Sequence, residues 1–520
     1  MASKYSASGE QRAASRGLSF PLAARCSLLA FAVALALRLL NFPYAFDGAR
    51  PVIAPVDELY HWKRISFSAQ HFPQVLEFDG DRGDGGAFCP WPPLYDLTAG
   101  GAARLLGARD ADSVLARVVW FPPLVFALFV GAAVAVLARA YGTFTAVVAG
   151  AALAASPFLV TSSSIGSIDH HFLEPILVFA ILGTTLAARR SPLAIALTAA
   201  LFVQTALIVA AGLSFIVLFV RGERRAWVSF FAASVAVALY RLTRAPGYPD
   251  NQWFLGWTHA VLLLAAAVAL FVPRRMLGLA LGALVAAPLV PQVIRGSHFF
   301  GGDPWLRTIN EFQPVWRARG EDLLSITVGL GAGAVLVWLL AWRRRNAAEI
   351  AIALFAVVYL LMTLANRRFW IVAIPLLALA GALAAGKRLV LALLVAIPPP
   401  LQLAGWLMTA TPPVTGDQHR WLRIAAELRT KPRGRVLAPW SMGHAIDVLG
   451  GQPVVIDNFG SMPDPALFEG ANEALEGHNL EGFCRAHGVA YVIPSRADGE
   501  GSRPRQPEIL RFAQDDGRAR

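Results

Sequence analysis

Long apolar runs, separated by polar segments, occupy most of the chain. An apolar run of about 18 residues or more is long enough to form a helix that crosses a bilayer. Such runs lie near 24–41, 118–138, 143–160, 172–188, 226–242, 256–272, 276–294, 323–342, 347–364, 368–386 and 388–409. The apolar block 191–220 exceeds the length of one straight span, so we predict two helices there and about thirteen spans in all.

Basic residues support this arrangement, because the cytoplasmic loops of membrane proteins carry an excess of lysine and arginine. With the N-terminus inside, every short inside loop is basic. These loops hold Arg139, Arg189, Arg190, Arg221, Arg224, Arg225, Arg274, Arg275, Arg343, Arg344, Arg345, Lys387 and Arg388. A single span at 191–220 would move every later loop to the other side and break this rule.

The topology divides the chain between the two sides of the membrane. Residues 1–22 form a basic cytoplasmic tail, and residues 23–410 form the membrane domain. This domain carries two long external loops, 42–117 and 295–322. The segment after residue 410 also lies outside, so the polar segments gather on the face opposite the basic loops.

The segment 411–496 predicts a small external α/β domain. Residues 421–428 have the pattern of a helix, whereas 435–439, 453–456 and 489–493 have the pattern of short buried strands. Residues 497–520 are polar and without a pattern, which is typical of a disordered tail.

Composition supports a multi-pass membrane protein, since 56% of the residues are hydrophobic and only 15% are charged. A soluble protein carries about a quarter charged residues. The net charge of +12 belongs to cytoplasmic loops and does not indicate a nucleic-acid partner. Three scattered cysteines, Cys26, Cys89 and Cys484, are too few for a disulfide framework or a zinc site.

Ionisable side chains crowd the external start of the apolar run 172–188: Asp169, His170, His171 and Glu174. A charge at a membrane boundary is costly unless it has a partner or a function. Asp169 and His171 can both reach one metal ion if the backbone turns there, with Glu174 orienting a ligand from behind. The alternative is a plain helix cap formed by Asp169.

Other polar residues fall on the same side of the membrane. Asp57 follows the first span and can bind a cation, although it also fits an ordinary surface helix with His61. Glu311 stands in the second external loop, either beside a pocket or in an interfacial loop. Arg367 and Arg368 flank span ends, where a guanidinium suits a phosphate group or simply reaches the membrane surface.

The pattern places candidate cation ligands and candidate phosphate-binding arginines on one face. A divalent ion and an arginine beside a lipid-accessible pocket are typical of an enzyme that activates a lipid pyrophosphate. A transporter or flippase would need ionisable groups near the bilayer midplane, and the spans of this chain are nearly bare of them. We therefore favour an enzyme.

Several short motifs resemble those of the oligosaccharyltransferase catalytic subunits, the multi-pass enzymes of protein N-glycosylation. Residues 57–61, Asp-Glu-Leu-Tyr-His, resemble the first acidic motif of the family, and 166–171, Gly-Ser-Ile-Asp-His-His, resemble its second. Residues 308–311, Thr-Ile-Asn-Glu, resemble the Thr-Ile-x-Glu motif of its mobile loop. Arg368, followed by Phe369 and later by Pro375, resembles the arginine that meets the pyrophosphate.

The resemblance implies a C-type membrane glycosyltransferase fold with a small periplasmic α/β domain. It implies inverting transfer of a glycan from a polyprenyl-pyrophosphate donor to an asparagine of an acceptor polypeptide. It also implies a site on the periplasmic or extracellular side of an inner or plasma membrane.

The resemblance assigns roles to individual residues. Asp57, Asp169 and His171 would hold a divalent cation, Mn²⁺ or Mg²⁺, with the histidine favouring Mn²⁺. Asp57 and Glu311 would be catalytic, because they bind the amide N–H groups of the acceptor. Arg368 would bind the donor pyrophosphate.

One motif departs from the family pattern. The family carries Trp-Trp-Asp-Tyr-Gly, whereas residues 439–443 read Pro-Trp-Ser-Met-Gly. Trp440 and Ser441 are the candidate acceptor-binding residues, and Ser441 stands where the family has aspartate. The acceptor is therefore either an asparagine read through another motif or a different molecule. The alternative function is a C-type glycosyltransferase that uses a polyprenyl-monophosphate sugar to modify a lipid or a glycan.

Overall fold

The computed structural model describes residues 7–203, 207–251, 253–297, 305–306, 309, 312–317, 346–409, 416–494 and 510–511. The described chain is mostly helical. Its α-helices are Ala7–Arg38, Asp57–Gln70, Leu94–Leu105, Ala111–Val118, Phe121–Tyr141, Thr143–Ala155, Pro157–Ser162, Leu173–Leu186, Arg190–Val203, Ile208–Arg221, Trp227–Leu242, Trp257–Phe271, Arg275–Ala286, Val290–Ser297, Ala347–Ala365, Trp370–Ala385, Leu389–Ala396, Pro398–Thr409, Gly416–Leu428, Gly443–Val448, Pro465–Leu475 and Leu480–Ala486.

Six helical segments in the described part of the chain are long and apolar enough to cross a membrane: Leu22–Tyr44, Ala111–Tyr141, Arg224–Leu242, Arg275–Gln292, Ala347–Ala365 and Arg367–Ala385. Shorter apolar helices accompany them, and two of these, Arg190–Phe202 and Ile208–Arg221, occupy the block for which we predict two helices. The predicted run 323–342 lies outside the described residues, and the count of about thirteen spans stays a prediction.

Small residues let the membrane helices approach one another closely, which is the usual basis of helix packing in a bilayer. The first helix lies against Phe121–Tyr141, where the Ser27 hydroxyl donates to the Gly131 carbonyl at 2.8 Å. A Cβ atom added at Gly131 would lie 3.2 Å from the Cβ of Phe31. A larger residue at Gly131 would therefore push these two helices apart.

The first external loop is folded into helices and two short hairpins. The hairpins pair Phe46–Asp47 with Arg50–Pro51 and Phe78–Asp79 with Ala87–Phe88. Helix Leu94–Leu105 packs on helix Asp57–Gln70 at Gly100, where an added Cβ atom would lie 2.8 Å from the Ile65 carbonyl oxygen. This close contact holds the helix that carries Asp57 against the rest of the loop.

The C-terminal unit contains a three-stranded sheet. Strand Arg435–Leu437 pairs in parallel with Val489–Val492, which pairs antiparallel with Leu510–Arg511. The predicted strand at 453–456 contributes an isolated parallel bridge between Val436 and Val454. The pair Leu510–Arg511 forms the edge strand of this sheet. The other residues of 497–520 lie outside the described part of the chain, and the disordered tail stays a prediction.

The first external loop is joined to the C-terminal unit by backbone pairing and by buried charges. Arg82 forms a parallel bridge with Val454, and its guanidinium pairs with the carboxylate of Asp457. Lys63 Nζ lies 2.7 Å from Asp79 Oδ2 and 2.8 Å from Asp447 Oδ1. These contacts hold the C-terminal unit over the loop helix that begins at Asp57.

Candidate functional site

The turn before Asp169 is fixed by the C-terminal end of the first helix. Arg38 is fully buried, and its Nε donates to the Ser163 hydroxyl at 2.7 Å. The Arg38 carbonyl accepts from the Ile165 N–H at 3.1 Å, and Asn41 Nδ2 donates to the Ile165 carbonyl at 2.8 Å. Gly166 has a φ of +92°, a conformation that favours glycine. These contacts thus fix the backbone on the N-terminal side of Asp169.

Asp169 occupies the N-cap position of a short 3₁₀ helix, but its carboxylate faces imidazole rings and forms no cap hydrogen bond. Asp169 Oδ1 lies 3.0 Å from His170 Nδ1 and 3.3 Å from His61 Nε2. Asp169 Oδ2 lies 3.2 Å from His171 Nε2. The geometry therefore differs from that of a plain helix cap.

His171 is held on its other side by Glu174. His171 Nδ1 lies 2.9 Å from Glu174 Oε1 and 3.2 Å from Arg368 Nη2. A carboxylate can only accept a hydrogen bond, so the shorter and charge-complementary contact favours the form in which Nδ1–H donates to Glu174. This leaves Nε2 directed at Asp169. A carboxylate behind a histidine is the usual arrangement for a histidine that binds a metal.

Arg368 lies at the edge of the same cluster. Its Nη2 is 3.5 Å from Glu174 Oε1, and its guanidinium lies 5.2 Å from the centre of the Phe312 ring. The Asn366 side chain accepts from the Arg368 N–H at 3.1 Å and fixes the backbone there. Glu311 itself lies outside the described residues, but its neighbour Phe312 contacts Arg368.

Asp57 lies on another side of the site, in the first turn of helix Asp57–Gln70. Its Oδ1 is 3.6 Å from Nδ1 of His444, which belongs to the C-terminal unit. The structure brings Asp169 and Glu174 into direct contact with His171. Asp57 and Asp169 are connected less directly, because the charges of both raise the pKa of the Glu58 carboxyl.

The acidic groups repel one another electrostatically. Burial, Asp169 and Asp57 together raise the pKa of Glu58 to about 8. Glu58 Oε2 is buried with no hydrogen-bond partner among the described residues. Burial would also raise the pKa of Asp169, but His171 and His170 outweigh it and lower that pKa well below its ordinary value. A cation would relieve this crowding of carboxylates.

The residues present fit a divalent cation. Adjacent ligands of a metal bound at about 2.1 Å stand about 3 Å apart, and Asp169 Oδ2 and His171 Nε2 are 3.2 Å apart. Among the described residues, the donor groups that converge closely are His61 with Asp169 and His170, and His170 with His171 and Glu174. A mixed carboxylate and imidazole set suits Mn²⁺.

Trp440 and Ser441 lie in a separate part of the molecule, in the 3₁₀ helix Trp440–Met442. The Trp440 ring meets Trp305, at the start of the second external loop, edge to face at 6.0 Å. Both Trp440 and Ser441 are half-buried. Trp440 thus contacts the loop that carries Glu311.

His444, one turn after Ser441, is a site-facing residue that the sequence motifs missed. It is fully buried and stacks on Tyr60, with ring centres 4.8 Å apart. Burial lowers its pKa to about 3, so the ring is neutral. Neither ring nitrogen has a hydrogen-bond partner among the described residues. Its position directly after the altered motif 439–443 is a sequence signal that could have indicated a residue of the site.

The sequence also missed the partners of His61. His61 Nδ1 lies 2.6 Å from Asp96 Oδ1, and Asp96 Oδ2 lies 2.5 Å from Arg64 Nη1. All three side chains are buried. The four-residue spacing of Asp57 and His61 drew attention to this helix, but no local pattern indicates a contact with Asp96.

Residues 26–273 match the model of a protein family described as oligosaccharyl transferase STT3, N-terminal. Comparison with curated protein sequences gives no significant match.

Solved oligosaccharyltransferase structures from Archaeoglobus fulgidus share the fold. The archaeal oligosaccharyltransferase AglB in complex with an inhibitory peptide and a dolichol-phosphate has a TM-score of 0.76 at 18% identity, covering 91% of this chain and 69% of that one. The enzyme tethered to an acceptor peptide with an NVT sequon gives 0.71 at 18% identity, covering 91% and 69%. Its complex with Zn and sulfate gives 0.68 at 17% identity, covering 90% and 67%.

The matched residues 26–273 contain the Asp57 helix, the His61 network and the complete Asp169 turn. The fold of the solved relatives extends over nine-tenths of this chain. A little under half of the chain, residues 26–273, thus matches the N-terminal model of the oligosaccharyl transferase STT3 family, and the chain shares the fold of the archaeal oligosaccharyltransferase structures.

Proposed function

We propose that this protein transfers a glycan from a polyprenyl-pyrophosphate lipid to the side-chain amide of an asparagine in an acceptor polypeptide. The solved relatives were captured with a dolichol-phosphate and with acceptor or inhibitory peptides, which supports a lipid-linked donor and a peptide acceptor. The distribution of basic residues in the sequence supports a reaction on the external side of the membrane, where Asp57, Asp169 and Arg368 would then lie.

The observation that carries this proposal is the chain of contacts from Asp169 through His171 and Glu174 to Arg368. The contact distances along it are 3.2, 2.9 and 3.5 Å. A candidate cation site and a candidate phosphate-binding arginine therefore share one carboxylate, Glu174. This arrangement suits a substrate that carries a pyrophosphate, whose oxygens can meet both groups at once.

The cation would be held by Asp57, Asp169 and His171, and Mn²⁺ or Mg²⁺ fits these donors. The relative in complex with Zn and sulfate supports a divalent ion in this fold. When bound, such an ion offsets the negative charge that develops on the departing pyrophosphate. Glu174 would keep His171 in the required tautomer.

The other residues would act on the two substrates. Arg368 would bind pyrophosphate oxygens through its planar fork of donors. The acceptor amide is a poor nucleophile, because its nitrogen lone pair is delocalised. Asp57 and Glu311 would accept hydrogen bonds from its N–H groups and weaken that delocalisation. Attack from the side opposite the pyrophosphate would invert the configuration at the sugar carbon.

The C-terminal unit would present the acceptor through Trp440 and Ser441. Ser441 can donate and accept hydrogen bonds but carries no charge, so it would hold an acceptor hydroxyl less firmly than an aspartate does. This observation keeps a second candidate function, transfer from a polyprenyl-monophosphate sugar to a lipid or glycan.

A reconstitution experiment tests the proposal. Purified protein receives either a polyprenyl-pyrophosphate glycan or a polyprenyl-monophosphate sugar, together with Mn²⁺, an asparagine peptide and membrane lipids as the possible acceptors. We expect a glycopeptide, detected by mass spectrometry, from the pyrophosphate donor only. Glu311→Gln should abolish it, whereas Glu427→Gln, a change on an exposed helix of the C-terminal unit, should not. A glycosylated lipid from the monophosphate donor would support the second function instead.

A further inference from the structure

Buried charged residues extend from the Asp169 cluster into the first external loop. Arg64, Asp96 and His61 follow one another at 2.5 and 2.6 Å, and each side chain is at most 1% exposed. Burying charges is costly unless they are paired. The proposed roles of Asp57, Asp169 and His171 do not use this chain of charges, so it requires its own explanation.

His61 is held rigidly at the inner end of this chain. Its ring stacks on Trp91, with centres 4.1 Å apart and planes 7° apart. Asp96 Oδ1 lies 2.6 Å from Nδ1, and Nε2 on the other side of the ring lies 2.9 Å from His170 Nδ1 and 3.3 Å from Asp169 Oδ1. The ring therefore has a fixed position and a fixed direction.

The two oxygens of Asp169 have different surroundings. Oδ1 faces His61 and His170, whereas Oδ2 faces His171 Nε2 at 3.2 Å. A carboxylate that binds a metal through one oxygen is commonly held in place by a polar group beside the other. Asp169 Oδ1 is buried and lies within ion-pair distance of both rings, without a regular hydrogen bond from the described residues. The arrangement matches this division of tasks.

We propose that His61, oriented by Asp96 and Arg64, is a positioning residue that holds Asp169 Oδ1 and leaves Oδ2 to bind the cation. The inference rests on the proposed function, because it takes Asp169 as a metal ligand. It gives His61 and the buried Arg64–Asp96 pair of the first external loop a part in the metal affinity of the site, in addition to the role proposed for Asp57.

Two substitutions of His61 distinguish the contribution of its N–H donor from that of its stacked ring. His61→Gln keeps an amide N–H close to the position of Nε2 but removes the stacked ring. His61→Phe keeps a ring on Trp91 but removes both nitrogens. The readout is binding of Mn²⁺ alone to detergent-purified protein, followed by electron paramagnetic resonance. Asp112→Asn, on an exposed residue of the same loop, is the matched control.

We expect His61→Phe to weaken Mn²⁺ binding about 10- to 100-fold, as is usual for the loss of a group behind a metal ligand. His61→Gln should recover most of that loss. Equal binding by both variants and the parent, or better binding by His61→Phe than by His61→Gln, would overturn the proposal. If His61→Phe does not fold, Asp96→Asn tests the same chain, and we expect about tenfold weaker binding.

Asp169→Ala separates the failure of this inference from the failure of the proposed function. If Asp169→Ala binds Mn²⁺ as the parent does, the cation site is wrong and the positioning role fails with it. If Asp169→Ala loses Mn²⁺ while the His61 and Asp96 variants bind normally, only the positioning role is wrong.

Discussion

The turn at Asp169 and the segment Trp440–Ser441 differ in how firmly the fold holds them. Asp169 lies within 3.3 Å of three imidazoles, and the residues behind it are buried and paired. Trp440 and Ser441 are half-buried, with an edge-to-face contact to a loop residue. Under the proposed function, the difference would make the donor side of the site rigid and the acceptor side the part that can change its substrate.

The two regions are nevertheless connected. His444 follows Ser441 by one helical turn and lies 3.6 Å from Asp57, and the pairs Arg82–Asp457 and Lys63–Asp447 join the same two units. The C-terminal unit therefore completes the wall of the site near Asp57. We expect changes on the donor side to affect turnover most and changes on the acceptor side to affect specificity.

Asp169→Asn should produce the largest effect on activity. The substitution keeps the shape of the side chain but removes its charge, and we expect glycan transfer to fall about 100- to 1,000-fold, as for other groups that stabilise developing charge. The rate of glycopeptide formation measures it. If Ser441→Ala reduces the rate as much as Asp169→Asn does, the expected difference between the two regions in their effect on turnover is wrong.

Arg368→Lys should have the next effect, because lysine keeps the charge but loses the planar fork that matches phosphate oxygens. We expect the KM for the lipid donor to rise about tenfold, while the KM for the peptide stays unchanged. Initial rates at varied donor and peptide concentrations separate the two. A rise confined to the peptide KM would place Arg368 on the acceptor side.

Asp457→Asn should loosen the C-terminal unit without touching the Asp169 turn. It leaves the buried Arg82 without its carboxylate partner, and loss of one partner of a buried pair costs about 3–5 kcal/mol. We expect faster proteolysis in the C-terminal unit, while Mn²⁺ binding is largely retained. Unchanged proteolysis would show that backbone pairing at Val454 is enough to hold the two units together.

The same pair predicts a dependence on pH. Burial would raise the pKa of Asp457, but the charge of Arg82 outweighs it and holds that pKa below its ordinary value. A carboxyl with a depressed folded-state pKa stabilises the fold above its unfolded pKa and loses that contribution as the pH falls through the folded value. Proteolysis of the C-terminal unit should therefore increase below about pH 4 in the parent, and less so in Asp457→Asn.

Ser441→Asp should have the smallest effect on rate and should sharpen specificity. It restores the carboxylate of the family motif, which can accept a hydrogen bond from an acceptor hydroxyl. We expect the preference for Asn-x-Thr over Asn-x-Ala peptides to rise about fivefold or more. Competition between the two peptides, quantified by mass spectrometry, gives the ratio directly. An unchanged ratio would remove residue 441 from acceptor recognition.

The helices could be predicted from the sequence because each long apolar run specifies its own burial in a bilayer. The Asp169, His171 and Glu174 cluster could be predicted for a similar reason, since all three lie within two turns of one segment. His61 could not be placed, because its partners Asp96 and His170 are 35 and 109 residues away. The contact of His444 with Asp57 likewise depends on how the C-terminal unit docks.

Removal and return of the metal is the most direct test of the central claim, that the Asp169–His171 turn holds a divalent cation required for glycan transfer. Purified parent protein and Asp169→Ala are treated with EDTA, passed into metal-free buffer and assayed with a lipid-linked glycan and an asparagine peptide before and after Mn²⁺ is added. We predict that the parent loses transfer and regains it with Mn²⁺, while Asp169→Ala stays inactive. Transfer at the original rate by the EDTA-treated parent, or recovery of Asp169→Ala with Mn²⁺ at parental concentrations, would contradict the claim.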